Sequence, residues 1–206
     1  MKPTQQNRSL ATQNRILDAL DQAVKEGRLE ALTVNDLVRE ANCSVGAFYG
    51  RFSDKDAALT ALYTSHREVF AGKLLNLSTR DLNLENWARK CVTLCLEHAL
   101  ENRALLIHAP LQDQAPAKGR GQAAAAMDTN LNLTHVIGKM MVRNWLVASK
   151  KDQANAIAAF VLLMMGATTR DTTINFPHLV APGKTRRWFV DQLAASVCAY
   201  VGEHMS

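Results

Sequence analysis

Cysteine is scarce in this chain: four residues in 206, at positions 43, 91, 95 and 198. So few, so widely spaced, cannot staple a protein of this size, which excludes a disulfide framework and leaves reduced thiols as the expectation. Long apolar runs are lacking too. The longest, Ala156 to Ala167, falls short of the roughly 20 residues a membrane-spanning helix requires and reads as a buried helix. The segment Met1 to Ala11 is polar and has no apolar centre of the secretory kind, so a cytoplasmic protein with no membrane partner is expected. No stretch sustains period-two alternation with β-branched residues, which argues against a sheet. Six histidines offer bases, but none sits in a nucleophile, phosphate-loop or zinc-hydrolase motif, so neither an enzyme nor a cofactor or metal is expected.

Charge of one sign is missing where it would be most informative. The formal charge is +5, which suggests a polyanionic partner. Yet residues 1 to 60 hold eight Lys/Arg against eight Asp/Glu, and the whole excess lies in residues 61 to 206. Net charge therefore does not locate a nucleic-acid site, and local placement must.

What is present is helical periodicity. Ile16, Leu17, Leu20 and Val24 recur at helical spacing and Gly27 supplies a stop, predicting a first helix over about 10–26. Thr33 precedes the stripe Val34, Leu37, Val38 and Ala41, so a short second helix starts there, with Asp36 placed to complete a capping box. Asn42 tolerates the left-handed conformation that closes such a helix. Ser44 can cap a third helix over about 45–52, and Ser53-Asp54-Lys55-Asp56 repeats the cap signature before a fourth, ending near Leu77. Thr79 to Asn83 reads as a connection. Periodicity resumes at Trp87 and breaks at Pro110 and Pro116, near Gly119 and Gly121, which fits two helices and a loop. Helical patterns then span about 122–148, 152–174 and 185–203, with a loop over 176–184. The fold class is all-α.

Two short helices joined by a tight turn and braced by a third can set the second of them in the major groove, which is about 12 Å wide and admits one helix. The third helix here has the small leading face this requires. Gly46 and Ala47 let the backbone approach base edges, Tyr49 and Arg51 provide polar reach, and Phe48 and Phe52 suit inward packing. Lys2, Arg8 and Arg15 could track phosphate as an N-terminal arm or form a solvated tail.

The runs Thr33-Val34-Asn35-Asp36-Leu37-Val38 and Ala41 through Asp56 resemble the TetR family of transcriptional regulators over about residues 10–62. Asn42 stands where that family usually has Gly, and Cys43 replaces a common Val. The resemblance implies that Thr33, Ser44, Tyr49 and Lys55 bond phosphates, while Val45, Gly46, Ala47 and Arg51 face bases. Phosphate contacts set register and base contacts set sequence preference. It further implies a helix-turn-helix domain at 1–54 and a helical ligand-binding and dimerisation domain at 55–206, connected by the helix 55–77. The expected partners are a double-stranded palindromic operator, a second copy of the chain, and a small apolar or aromatic effector that releases a repressor from DNA.

For the homodimer interface the apolar faces of the last two helices nominate Ile157, Val161, Val190, Leu193, Ala194, Val197 and Val201. For the effector, aromatics and adaptable methionines with a few polar groups nominate Trp87, Cys91, Leu94, Cys95, His98, Met140, Met141, Asn144, Trp145, Phe160 and Met164. The same residues suit plain core. Cys91, Cys95 and His98, at i, i+4 and i+7, carry an alternative, a metal or redox sensor. A helical enzyme or an adaptor without DNA binding are the remaining alternatives.

Overall fold

In a computed structural model that describes residues 5–78, 82–108 and 120–205, apart from the side chains of 5–8 and 120–130, every regular element is helical. Contacts divide the chain into two units. One holds Met1–Arg67 with Ala104–Ala125, the other Glu68–Arg103 with Ala126–Ser206.

The first unit begins with α1 (Gln5–Lys25), which starts about five residues before the first apolar position of its stripe allowed one to infer. It ends as expected, with Gly27 at φ +69°, a conformation that costs glycine nothing. Then come α2 (Val34–Glu40) and α3 (Val45–Tyr49), with Asn42 between them at φ +47°. Helix α4 (Lys55–Ser78) follows; its residues to Arg67 belong to this unit and those from Glu68 to the second. Ile16, Leu20, Leu37 and Phe48 are completely buried here, and Phe52, Leu62 and Leu105 of α6 (Arg103–His108) close the same core. Each such side chain contributes about 1.5–3 kcal/mol by leaving water, which is what holds elements as short as α2 and α3 in place.

The second unit is built on α5 (Leu84–Glu101), α7 (Arg120–Asn144), α8 (Ala154–Asn175) and α9 (Lys184–Gly202). Trp87, Cys91, Ile137, Met141, Val161, Met165 and Val197 form its centre. Helix α7 stops at Asn144, before the predicted 148, and a 3₁₀ turn at Ala148–Gln153 leads into α8. Gly138 explains the tight passage there: a Cβ at that position would lie 2.6 Å from Asn155 Oδ1 and 3.2 Å from the Ala154 backbone. The expected loop over 176–184 contains a 3₁₀ turn, Pro177–Val180, anchored by buried Val180. The stretch Ala148–Asn175 is long and apolar enough by composition to cross a membrane, but Ile157, Ala158, Val161 and Met165 pack it into this core. Pro110, Pro116, Gly119, Lys2 and most of the 79–83 connection lie outside the described residues; Gly121 falls within α7.

Candidate nucleic-acid interface

Local hydrogen bonds build the reading element from its caps. Thr33 Oγ1 accepts from the Asp36 N–H at 3.1 Å, and the Asp36 carboxylate accepts from the Thr33 N–H at 3.3 Å. That reciprocal pair is the predicted capping box. The Thr33 hydroxyl and N–H, with Arg39 nearby, hold the Asp36 carboxyl below its ordinary value of 3.8. Ser44 Oγ accepts from the Ala47 N–H at 3.1 Å and starts α3. At α4 the side-chain cap is Asp54, which accepts from the Ala57 N–H at 2.7 Å, while Ser53 donates to Asp54.

The outer face of α3 is then defined by what is left exposed. Phe48 is buried and turns the helix inward, with Tyr49 set edge-on against it at 5.3 Å. Ser44, Val45, Gly46 and Tyr49 are exposed together, Tyr49 by 56%, and Ala47 is half-buried beside them. Gly46 has no positive φ, and a Cβ placed on it would meet only Ser44 Oγ, at 4.0 Å. Nothing within the protein requires a glycine there. Its missing side chain leaves room for something outside.

Lys55 and Arg51 are less free than the sequence suggested. Lys55 Nζ donates to the carbonyl oxygens of Leu29 and Leu32 at 2.9 and 3.1 Å, tying α4 to the α1–α2 connection. Two of its three N–H groups are thereby used and one remains. Arg51 Nε donates to the Ser9 carbonyl, Nη2 to the Ser9 hydroxyl and Nη1 to the Ala47 carbonyl. Its guanidinium is a strap within the unit, with two N–H groups left over. Several other cations of the unit are in ion pairs: Arg28 with Glu26 and Glu40, Arg39 with Asp36, Lys25 with Asp21.

The nominated interface residues require a correction. Ile157, Val161, Val190, Leu193, Ala194, Val197 and Val201 are all buried in the core of their own unit, none more than 9% exposed. The stripe that looked ready for a partner is the one the fold consumes. The opposite faces of the same helices carry exposed Ala156, Phe160, Leu163 and Ala167 on α8 and Trp188, Ala195 and Ala199 on α9. Leu163 is 64% and Trp188 56% exposed.

The nominated effector residues scatter. Trp87, Cys91, Cys95, Met140 and Met141 are core, with the Trp87 ring tilted against half-buried Trp145 at 5.3 Å. Met164 packs at the edge of that core. Asn144 and Phe160 are exposed, so they do not face a common interior site, and Phe160 lies against Tyr200 at 4.7 Å. Leu94 alone of the set lines a groove of about 510 Å³ beside α4 and α5. The sensor trio also fails to converge. Burial pushes the Cys91 thiol up, with Cys95 adding to it, and pushes Cys95 up to about 12. His98 stacks on Phe70 at 4.4 Å and meets Asn102 through Nδ1. Among the described residues no three His, Cys, Asp or Glu side chains are grouped to hold a metal.

Caps, a turn at Asn42, an inward Phe48 and a small outward α3 face define a helix-turn-helix DNA-binding unit on an all-helical protein. Residues 16–62 match the model for bacterial regulatory proteins of the tetR family. Solved structures extend the likeness along the chain. A Mesorhizobium loti protein assigned to the TetR family superposes with a TM-score of 0.65 at 14% identity, covering 97% of this chain and 99% of that one. A transcriptional regulator from Rhodococcus sp. Rha1 gives 0.61 at 18% identity, covering 91% and 96%. The regulator FadR from Bacillus subtilis, solved in complex with stearoyl-CoA, gives 0.59 at 12%, covering 93% and 98%. No curated protein sequence matches significantly. Residues 16–62 thus carry the N-terminal domain of the tetR family of bacterial regulatory proteins, and the chain as a whole shares the fold of these transcriptional regulators.

Proposed function

We propose that this regulator is a repressor that binds a palindromic operator as a homodimer and leaves it when a small effector binds. It is a DNA-binding protein of the cytoplasm and not an enzyme. The observation that carries the reading is Gly46: an exposed helix position with empty space around it, on the face shared with Ser44, Val45, Ala47 and Tyr49. A backbone bare of side chains at that point allows α3 to seat against base edges. Thr33, Ser44, Tyr49 and the remaining N–H of Lys55 reach phosphates; Val45, Gly46 and Ala47 read bases, and Arg51 sets the angle of the helix that does so.

A helix-turn-helix protein needs two reading heads about 34 Å apart to meet successive half-sites. The outward faces of α8 and α9, with Phe160, Leu163, Ala167, Trp188, Ala195 and Ala199, supply an apolar, small-residue surface for a four-helix interface. An unpartnered surface of this kind on a regulator argues for a second copy. The stearoyl-CoA complex of the Bacillus subtilis neighbour supports a ligand-responsive role. An effector acts by favouring the geometry that does not bind DNA, commonly with about 1–3 kcal/mol of coupling.

Selection of bound DNA from a random pool tests the reading. A palindromic consensus is expected from the native protein and none from Gly46→Leu; an asymmetric site, or equal enrichment by both proteins, would contradict it.

A further inference from the structure

The groove beside α4 and α5 has walls that are mainly apolar, yet its rim is cationic. Leu77 of α4 and Leu94 of α5 are half-buried and packed on the core, so they form a fixed apolar floor. The two helices come together at Phe70 and His98, whose rings stack at 4.4 Å, and the groove opens alongside that contact. Lys73 stands on the α4 wall and Lys90 on the α5 wall, both exposed. Neither makes an ion pair with any described residue. Arg89, also on the wall, differs: its guanidinium is engaged by Asp191 and lies 3.7 Å from Glu85. One carboxylate, Glu97, lines the groove as well.

Two ammonium groups with no ion-pair partner among the described residues, on the walls of one concavity, concentrate positive potential there. Their methylene stems extend the apolar wall while the charged heads stay at the rim. A cavity of this volume falls within the range that holds small organic ligands. An uncharged apolar molecule would leave the lysines without gain, and a bare inorganic anion would leave Leu77 and Leu94 wet. The complement of both features is one molecule with an anionic head and an apolar body.

We propose that the groove binds a small anionic amphiphile, its carboxylate between Lys73 and Lys90 and its hydrocarbon over Leu77 and Leu94. Glu97 sits at the edge of the same groove, repels the head and limits the site to a single negative charge. As an effector site this rests on the ligand-responsive reading above; the binding itself does not, and it is measured without DNA.

The test is calorimetric titration of the full chain with octanoate below its aggregation concentration, with octanol and acetate as comparisons. Saturable octanoate binding is expected, with octanol and acetate each at least about tenfold weaker. The double variant Lys73→Glu, Lys90→Glu should lose at least about tenfold in octanoate affinity at an unchanged melting temperature, because both side chains are exposed and unpaired. Glu97→Gln should bind octanoate more tightly. Equal affinity in the native and double-variant proteins, octanol matching octanoate, or no saturation at millimolar octanoate overturns the proposal. Failure here, with operator selection intact, removes the ligand site and leaves the DNA-binding reading standing.

Discussion

Arg51, at the end of the reading element, donates to both the main-chain oxygen and the hydroxyl of Ser9 on α1, each at 3.2 Å and across 42 positions of sequence. A third bond from the same guanidinium, 2.6 Å to the Ala47 carbonyl, closes the strap on α3 itself. The side chain that looked suited to a base is therefore a strap between α1 and α3. Arg51→Ala is expected to weaken operator binding without changing its dependence on salt, since no phosphate contact is lost. Tyr49→Phe, by contrast, should flatten the salt slope by about one unit if its hydroxyl meets a phosphate. Filter binding over a series of salt concentrations separates the two.

Glycine has opposite meanings at two positions. Gly46→Leu should leave the melting temperature unchanged or slightly raised, because a Cβ there meets only Ser44 Oγ, at 4.0 Å, and leucine is the better helix former, while DNA binding is lost. Gly138→Val should do the reverse. Its Cβ would run into Asn155 and the Ala154 backbone, an overpacking cost of about 1–3 kcal/mol, with any binding loss following the lost fold. Thermal melts paired with operator titration distinguish these outcomes.

The caps should respond to both substitution and acid. Thr33→Ala and Ser44→Ala each remove a side-chain acceptor from a helix N-terminus, at a cost of about 1 kcal/mol. Asp36, held below its ordinary pKa by Thr33, contributes fully above about pH 4, and its contribution is lost as the pH falls through the lowered folded value. Helicity followed from pH 6 downward should decline less steeply in Asp36→Asn than in the native protein.

For the thiols the sign is opposite. Cys91 and Cys95 are raised by burial from an ordinary 9.0, so the folded state keeps protons that the unfolded state releases. Their contribution is complete below about pH 9 and declines above it, by about 1.4 kcal/mol per pH unit for each thiol. Denaturant unfolding between pH 8 and pH 11 should show this decline, reduced in Cys95→Ala. At pH 8 a thiol reagent should label half-buried Cys43 well before either.

The two faces of α8 give a paired test of assembly. Leu163→Asp is expected to shift the sedimenting species from dimer to monomer at little cost to the fold, since the residue is 64% exposed. Ile157→Asp should unfold the second unit, because it places a charge where the native residue is 2% exposed. A native protein that sediments as a monomer at micromolar concentration would contradict the dimer reading.

Much of the DNA-reading element was legible because its determinants are local. A cap hydroxyl and its partner three residues on, an asparagine that accepts φ +47°, and a Phe at an inward register act within one or two turns, where sequence spacing equals spatial spacing. Even there the run Ser53-Asp54-Lys55-Asp56 marks the start of α4 without deciding which side chain caps it, a role that Asp54 fills. The Arg51 strap was illegible for a different reason: its partner Ser9 is far away in sequence, and periodicity carries no information on such a bond.

The second unit was harder because helix amphipathicity names an apolar face without saying what covers it. Val190, Leu193, Val197 and Val201 form a stripe that fits a partner or a core equally well, and the core claims it. The clue was present in Leu163 and Trp188, apolar residues left over after the inward stripe was satisfied. Lys73 and Lys90 carried no such signal, since an exposed lysine on a helix reads as solvated surface until another helix brings a second one across a groove.

The helix-turn-helix was thus determined by the sequence alone, through caps, turn residues and small side chains whose effects are short-ranged. Only the tertiary structure decided which apolar face remains outside, that Arg51 and Lys55 are tied within their own unit, and that two distant lysines share a groove. These depend on which helices meet and at what register, a choice made by the packing of many side chains at once rather than by any local pattern.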